Sequence, residues 1–362
     1  MDIQVQETRE TPRSERAELT VRRSRRALKR IQKWDNLKAF LIFCVVFGHI
    51  ADVYTLDFEE MRKVYFFIYI YHMPLFIFVS GLFAKKAINR SRIDKILGYF
   101  VLYMVMKAGF FLYTAQVSHN YNILFLTERT VPWFMMVLGI YMGVTMLIKR
   151  VAPNYVLTVS IFLACFAGYN AQIGDFLALS RVFVFYPFYY LGYIMNRETI
   201  EAYARKPLLK IISLVIVGAA LFVVIRFGEE IYWLRPLFTG RNSFYELKYF
   251  TSYGWLCRLL YYPLSMLVSA AIVILTPERT PFGLLSKIGQ QTLGVFVFHP
   301  FLLAIIMTLL DFRWGLLMIP PFFGIWNTAP FALVVTLFLS IPIFTMLANR
   351  VMVVPMRPTI KR

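Results

Sequence analysis

Apolar segments of about 20 residues recur along the chain, separated by short polar or charged connections. A helix of about 20 apolar residues crosses a bilayer core of about 30 Å, so this pattern predicts membrane-spanning helices. We expect an all-α, polytopic membrane protein with about ten transmembrane helices, near residues 37–55, 64–83, 96–116, 132–148, 155–171, 176–195, 208–227, 254–275, 289–309 and 329–347.

Basic residues are distributed unequally between the two sets of connections. If the N-terminus is cytoplasmic, 28 Lys and Arg residues fall in cytoplasmic segments, 8 on the other face and 3 inside spans. The positive-inside rule therefore predicts that both termini are cytoplasmic. Residues 1–33 form a basic cytoplasmic tail, largely disordered or interfacial, residues 34–348 form the transmembrane domain, and residues 349–362 form a basic C-terminal tail. The N-terminal tail favours anionic lipid over nucleic acid as its partner.

The amino-acid composition is also typical of a membrane protein, and it indicates little about the chemistry of a site. The chain of 362 residues is 59% hydrophobic and only 16% charged, whereas a soluble domain has about 25% charged residues. Its cysteines, Cys44, Cys165 and Cys257, lie in apolar runs at unrelated spacings. Buried thiols are therefore expected rather than a disulfide framework or a zinc site, and we expect no metal.

Three of the four histidines, His49, His72 and His299, fall within predicted spans. At 1.5 Å per residue, His49 lies about 18 Å from the cytoplasmic start of its span, His72 about 12 Å from the outer start of its span, and His299 at about 15 Å depth. An imidazole in hydrocarbon needs a polar partner or a cavity, so one shared midplane cavity is predicted. The alternatives are hydrogen bonds between packed helices and axial haem ligation, for which no covalent motif is present.

Several motifs resemble acyltransferase family 3, the polytopic membrane O-acyltransferases, and in particular its fucose 4-O-acetylase-like branch. Lys38 and His49 match the family's Arg-or-Lys-x10-His pattern, and residues 71–81 are similar to its His-Met-Pro-Leu-Phe run. Further similar motifs follow in the same order along residues 31–347: Trp133-Phe134, Pro187–Tyr193, Ile288–Gly294 and Phe298-His299-Pro300.

The resemblance implies transfer of an acyl group, most often acetyl, from cytoplasmic acetyl-CoA or another acyl-CoA to a hydroxyl of an extracytoplasmic or lipid-linked sugar. It implies a multi-pass protein of the bacterial cytoplasmic membrane, with membrane lipid, a carbohydrate acceptor and other envelope-glycan enzymes as partners. Candidates for binding the CoA phosphates are the basic residues at the cytoplasmic mouth: Lys38, Lys85, Lys86, Arg90, Arg92 and Lys95. The family's Arg-x-x-Arg pair is Arg92 and Lys95 here, and Lys lacks the bidentate fork of Arg.

Histidine chemistry suits this reaction, because a sugar hydroxyl is a poor nucleophile until a base takes its proton. His49 is the candidate base, or a nucleophile if an acyl-imidazole forms. Lys38 is also a candidate catalytic residue, because it belongs to the same family motif as His49. His72 is expected to orient the acceptor or to donate to the thioester oxyanion. For His299, a direct role and helix packing both stay open.

Further charged residues are candidates for cavity or substrate contacts. Asp35 is expected to cap the first span or to pair with a cation. Lys107, near the middle of the third span, is expected to face the cavity or to pair with a polar group. For Arg181 and Arg258, snorkelling to the outer boundary is the favoured interpretation.

The rival function is a transporter or flippase for a glycan or lipid-linked substrate, which also needs polar groups near the midplane. That function predicts a repeat relating the two halves of the chain. The histidine motifs of spans one and two have no counterpart in spans six and seven, which favours the acyltransferase.

Overall fold

The computed structural model describes residues 13–118, 126–314 and 325–354. Its regular structure there is helical, with one isolated antiparallel bridge between Thr127 and Phe176, so the predicted all-α class is confirmed. The helices are α1 (Arg13–Val53), α2 (Glu59–Asn89), α3 (Ile93–Ser118), α4 (Trp133–Ile148), α5 (Pro153–Ala167), α6 (Leu179–Ile194), α7 (Arg197–Ala204), α8 (Pro207–Ile231), α9 (Arg235–Thr239), α10 (Gly254–Leu275), α11 (Leu284–Gln290), α12 (Thr292–Trp314), α13 (Ile325–Leu339) and α14 (Pro342–Met352).

Each predicted span overlaps one of these helices, but their lengths differ. Among the described residues, six helical segments are long and apolar enough to cross a membrane: Gln32–Val53, Glu59–Asn89, Ile93–Val117, Pro207–Thr239, Phe250–Leu275 and Thr292–Leu309. The helices α13 and α14 meet at a 63° bend and add a seventh if they form one span. The bend precedes Pro342, which lacks an N–H and starts a new helix readily. Since α4, α5 and α6 are shorter, the number ten stays a prediction.

The helix α2 lies at the centre of the bundle and packs against α1, α4, α6, α8 and α10. Its tightest contact is with α6, where glycines on both helices meet backbone. A Cβ atom on Gly81 would lie 2.0 Å from the carbonyl oxygen of Tyr189, and one on Gly192 would lie 2.0 Å from that of Phe78. These glycines let the two backbones approach closely, as small residues do between membrane helices.

Pro74 lies inside α2 two residues after His72, and the helix continues through it. Because proline has no N–H, the carbonyl of Ile70 loses its helical donor. Ser265 of α10 supplies the missing donor, with its hydroxyl 2.6 Å from that carbonyl oxygen. An unpaired carbonyl is poorly tolerated in a membrane interior, so this bond fixes α10 against α2 near the level of His72.

Contacts between connecting segments divide the bundle into two ends. At one end, which we call the basic face, Lys33 donates to the carbonyl of Thr276 at 2.7 Å and Lys85 donates to Asn196 at 2.9 Å. At the other end, the opposite face, Arg62 pairs with Glu229 at 2.8 Å. The basic face contains the segments 90–92, 149–152, 196–206 and 276–283. The opposite face contains the segments 54–58, 126–132, 168–178 and 232–253. This grouping follows the alternation of the predicted spans, and the cytoplasmic position of the basic face remains a prediction.

Candidate active site

His49 of α1 and His299 of α12 lie side by side inside the bundle, with ring centroids 5.3 Å apart. His299 is fully buried, and its Nδ1 lies 2.9 Å from the carbonyl oxygen of Val295, which assigns the proton to Nδ1. Its Nε2 is then an acceptor, and it has no hydrogen-bond partner among the described residues. His49 is partly exposed. A buried, unpaired acceptor therefore lies beside a histidine whose side chain is partly exposed.

His72 of α2 is buried close to this pair. Its Nδ1 lies 2.8 Å from the carbonyl oxygen of Ile68, its ring packs edge-on against Tyr69 at 4.5 Å, and it is within electrostatic range of His49. The carbonyl contact assigns the proton to Nδ1, so Nε2 of the neutral ring only accepts. His72 is therefore suited to orienting an acceptor hydroxyl, and donation to an oxyanion does not fit this tautomer.

The histidine pair lies in the part of α1 towards the opposite face. His49 is four residues before the end of α1 at Val53, which is about 6 Å of helix, and eleven residues after Lys38, which is about 16 Å. Three residues after His49, Asp52 pairs with Arg235 of the opposite face at 2.9 Å, and both side chains are partly exposed. The approach to His49 is consequently short from the opposite face and long from the basic face.

Arg181 of α6 does not snorkel, so that prediction is wrong. Its side chain is only 6% exposed and lies over the ring of Trp133, 4.7 Å from the centroid. Its Nη1 also lies 3.4 Å from the carbonyl oxygen of Glu128, and the guanidinium is within electrostatic range of His49 and Tyr69. The aromatic face and the carbonyl replace water around the charge, and Arg181 thereby joins the histidine region.

Arg258 of α10 does not snorkel either, but it lies elsewhere. It is fully buried, donates from Nη1 to the carbonyl of Leu237, and lies 5.5 Å from the ring centroids of both Phe244 and Tyr261. These partners belong to α10 and to the segment 232–253. Arg258 therefore anchors that segment of the opposite face, and the structure does not bring it to the histidines.

Lys107 of α3 pairs with an acidic residue, one of its two expected arrangements. Its Nζ lies 3.2 Å from Glu128, which is 2% exposed, and donates to the Tyr103 hydroxyl and the Thr127 carbonyl at 3.0 Å each. Glu128 belongs to the loop that precedes α4. Lys107 therefore holds this loop of the opposite face in the bundle, and the loop carbonyl in turn contacts Arg181.

Lys38 lies on the same helix as His49, at the level of the basic face. It pairs with Asp35 at 2.8 Å, one of the two arrangements expected for Asp35, and its side chain is 25% exposed. Its Nζ lies 5.9 Å from the ring centroid of Phe83, and the guanidinium of Arg197 lies 5.8 Å from the same ring. Two cations thus share one aromatic ring at the basic face, and Arg197 is a member that the sequence motifs did not indicate.

The other predicted phosphate-binding residues separate into two groups. Lys85 donates to Asn196, the residue before Arg197. We call Lys38, Lys85 and Arg197 the Lys38 cluster. Arg92 instead makes two hydrogen bonds to Asp94, at 2.7 and 2.6 Å. Lys86, Arg90 and Lys95 are exposed at the same face. Arg92 would have to leave its carboxylate partner to bind a phosphate.

A family model described as an acyltransferase domain matches residues 31–345, which contain His49, His72, His299 and the Lys38 cluster. The chain belongs to acyltransferase family 3. A membrane acyltransferase is therefore supported, while the fucose 4-O-acetylase-like branch stays a prediction. The chain has no match among curated proteins or among solved structures.

Other features of this family-3 domain bear on its chemistry. Within the described part of the chain, no three His, Cys, Asp or Glu side chains are grouped as metal ligands. Cys44, Cys165 and Cys257 are free thiols, and the Sγ of Cys44 lies 3.4 Å from the Tyr71 hydroxyl. The chemistry that the site offers is therefore that of imidazole acceptors near a buried guanidinium.

Proposed function

We propose that this family-3 protein transfers an acyl group, most simply acetyl, from acyl-CoA at the basic face to a sugar hydroxyl at the opposite face. The observation that carries the proposal is the placement of His49. It is partly exposed, lies beside the unpaired Nε2 of His299, and is on the same helix as Lys38 of the cationic cluster. The acceptor is an extracytoplasmic or lipid-linked sugar or polysaccharide, and the membrane is the bacterial cytoplasmic membrane.

The donor would bind with its phosphates at the Lys38 cluster. Lys38, Lys85 and Arg197 lie at the basic face, where their charges favour an anionic ligand. The helix between Lys38 and His49 is about 16 Å long, a length that the extended pantetheine arm of CoA can follow. The thioester carbonyl would then reach the level of the histidines from the basic face.

Proton transfer would be carried by His49. As the acceptor hydroxyl approaches from the opposite face, a ring nitrogen of His49 takes its proton while the oxygen attacks the thioester carbonyl. The carbon–sulfur bond breaks, and the CoA thiolate leaves and takes up the proton from His49. Nε2 of His299 would accept a hydrogen bond from the second ring nitrogen of His49, which would hold the ring in place, and Nε2 of His72 would orient the hydroxyl.

Two forms of this reaction differ in kinetics. Direct attack on the thioester needs donor and acceptor together in one complex. An acyl-imidazole on His49 would instead release CoA before the acceptor reacts and would give ping-pong kinetics.

The test supplies purified protein with radiolabelled acetyl-CoA and a panel of candidate glycans. Wild type is compared with His49→Ala and Lys38→Ala, and Lys287→Ala serves as a matched control because Lys287 is an exposed lysine of the same face. We expect labelled glycan with wild type and the control, a loss of about 10²–10⁴-fold for His49→Ala as general bases contribute this much, and a higher KM for acetyl-CoA in Lys38→Ala. An undiminished rate in a folded His49→Ala protein removes His49 from the mechanism. No CoA-dependent transfer or thioester hydrolysis by wild type would favour the transporter.

A further inference from the structure

A polar cavity of about 580 Å³ opens at the opposite face, outside the histidine region. Three non-helical segments of the opposite face contribute its walls, around Thr127, Asp175 and Asn242. The volume falls within the range of about 300–1,000 Å³ that small-molecule sites occupy. The histidine mechanism does not use this cavity.

The walls of the cavity are held in place by backbone and ionic contacts. The N–H of Glu128 donates to the carbonyl of Asp175 at 2.7 Å, and the Asp175 carboxylate bridges Arg129 at 2.8 Å and Arg241 at 2.5 and 2.9 Å. Gly174 packs against the neighbouring segment so closely that a Cβ would lie 2.8 Å from the carbonyl oxygen of Arg241. A cavity built in this way is preorganised for a ligand, which lowers the cost of binding.

The charges around the cavity balance each other. Two cations, Arg129 and Arg241, face two carboxylates, Asp175 and Glu246. Burial acts to raise the pKa of Asp175, but hydrogen bonds from Arg241 and Arg129 outweigh it and lower that pKa, so the carboxylate is charged. Glu246 accepts a hydrogen bond from Asn242 at 2.5 Å. The cavity is thus rich in planar hydrogen-bonding groups and offers no excess charge to an ionic ligand.

Two side chains of the cavity wall, Phe176 and Gln172, are exposed and available to a ligand. The ring of Phe176 is 43% exposed although it borders a polar cavity, and the bridge between Phe176 and Thr127 fixes its backbone. The side-chain amide of Gln172 is exposed and has no hydrogen-bond partner in the described ranges. An apolar ring face beside free and paired polar groups fits a ligand with an apolar face and many hydroxyls.

The cavity also lies close to the histidine region. Arg181 is within electrostatic range of Asp175 and Arg241, which line the cavity, and of His49. Arg181 also contacts the carbonyl of Glu128 at 3.4 Å, and the N–H of Glu128 donates to the carbonyl of Asp175, so the buried guanidinium is connected to the cavity wall.

We propose that this cavity binds one uncharged sugar unit of the acceptor, with a pyranose face against Phe176 and hydroxyls on Gln172, Asn242 and Glu246. The assignment rests on the proposed function and gives it an acceptor subsite. It selects neutral hexoses and deoxyhexoses over uronic acids and phosphorylated sugars, because the two carboxylates of the wall balance its two arginines and Asp175 already bonds both of them.

The test is saturation-transfer NMR on the purified full chain without acyl-CoA. The probes are methyl glycosides of glucose, galactose and fucose, compared with methyl glucuronide and methyl glucoside 6-phosphate. We expect transfer signals for at least one neutral glycoside and none for the two anions. Phe176→Ala should weaken that binding about 2- to 10-fold, the worth of one aromatic contact, and Gln172→Ala should weaken it too. Tyr245→Ala is the matched control, since Tyr245 is an exposed aromatic of the same face outside the cavity wall.

These experiments test the sugar subsite independently of the proposed acyl transfer. No signal from any neutral glycoside, stronger binding of the anions, or neutral binding that Phe176→Ala leaves unchanged would overturn the subsite. Hydrolysis of radiolabelled acetyl-CoA is measured on the same samples without a glycan. If the subsite fails while this hydrolysis depends on His49, the acyltransferase proposal stands and only the acceptor position is wrong.

Discussion

Replacing His299 with leucine separates a catalytic role from a packing role. Leucine fills the buried position with an apolar side chain. The change removes the hydrogen bond from Nδ1 to the Val295 carbonyl, worth about 0.5–1.5 kcal/mol, and it also removes a buried Nε2 whose missing partner costs about 1–3 kcal/mol. The two terms oppose each other, so the free energy of unfolding should fall little or rise slightly.

The rate of acyl transfer should respond quite differently. In the proposed mechanism, Nε2 of His299 gains a hydrogen bond from His49 when the substrates are bound. Its loss then leaves the neighbouring His49 ring free to turn, and misplacement of a catalytic group by about 1 Å costs about 10²-fold in rate. The assay measures thermal unfolding and the transfer of radiolabelled acetyl by the same preparation. Phe298→Leu is the control, because Phe298 lies on the same helix and packs against Phe344 of α14. A wild-type rate in His299→Leu, or an equal loss in both variants, would refute the reasoning.

Three further changes test the fold and its electrostatics. Ser265→Ala leaves the Ile70 carbonyl without its donor and should destabilise the protein by about 0.6 kcal/mol, with about 1.7 as the upper end, measured by thermal unfolding; an unchanged melting temperature would contradict the contact. Gly192→Leu places a side chain in the backbone of α2 and should abolish the folded species in size-exclusion chromatography, whereas a wild-type profile would show that α2 and α6 do not approach so closely. The hydrogen bond from Arg205 lowers the pKa of Glu278 from 4.5, so this pair stabilises the fold above that pH and its contribution is lost as the pH falls through the lowered value. Glu278→Gln should therefore lower the melting temperature slightly near pH 7 and not at the acidic end, and an equal difference at every pH would exclude the pair as its cause.

Much of the helical architecture can be predicted from the sequence, because apolar length and depth depend on position along the chain. The helix class and the occurrence of His49 and His299 at one level follow from such positions. The contact between the two rings does not, since it depends on how each helix is rotated about its axis. That rotation is set by packing among distant helices.

The burial of the two arginines also depends on packing between parts of the chain that are distant in sequence. Position near the end of a span suggests snorkelling for Arg181 and Arg258, yet both are buried. Their partners, the Trp133 ring and the Leu237 carbonyl, are remote in sequence and meet them only in the folded bundle. The polar cavity is still harder to predict from the sequence. Its walls come from three loops, and the contacts between loops follow no periodic pattern.

Transfer across a sealed membrane tests the central claim most directly, namely that one site is reached by the donor from one face and by the acceptor from the other. Proteoliposomes would carry radiolabelled acetyl-CoA outside only and a neutral oligosaccharide inside only. We expect wild type to label the enclosed oligosaccharide and His49→Gln, reconstituted to the same level, to label about 10²–10⁴-fold less. Labelling that requires both substrates in one compartment, or that proceeds equally without His49, would contradict the account.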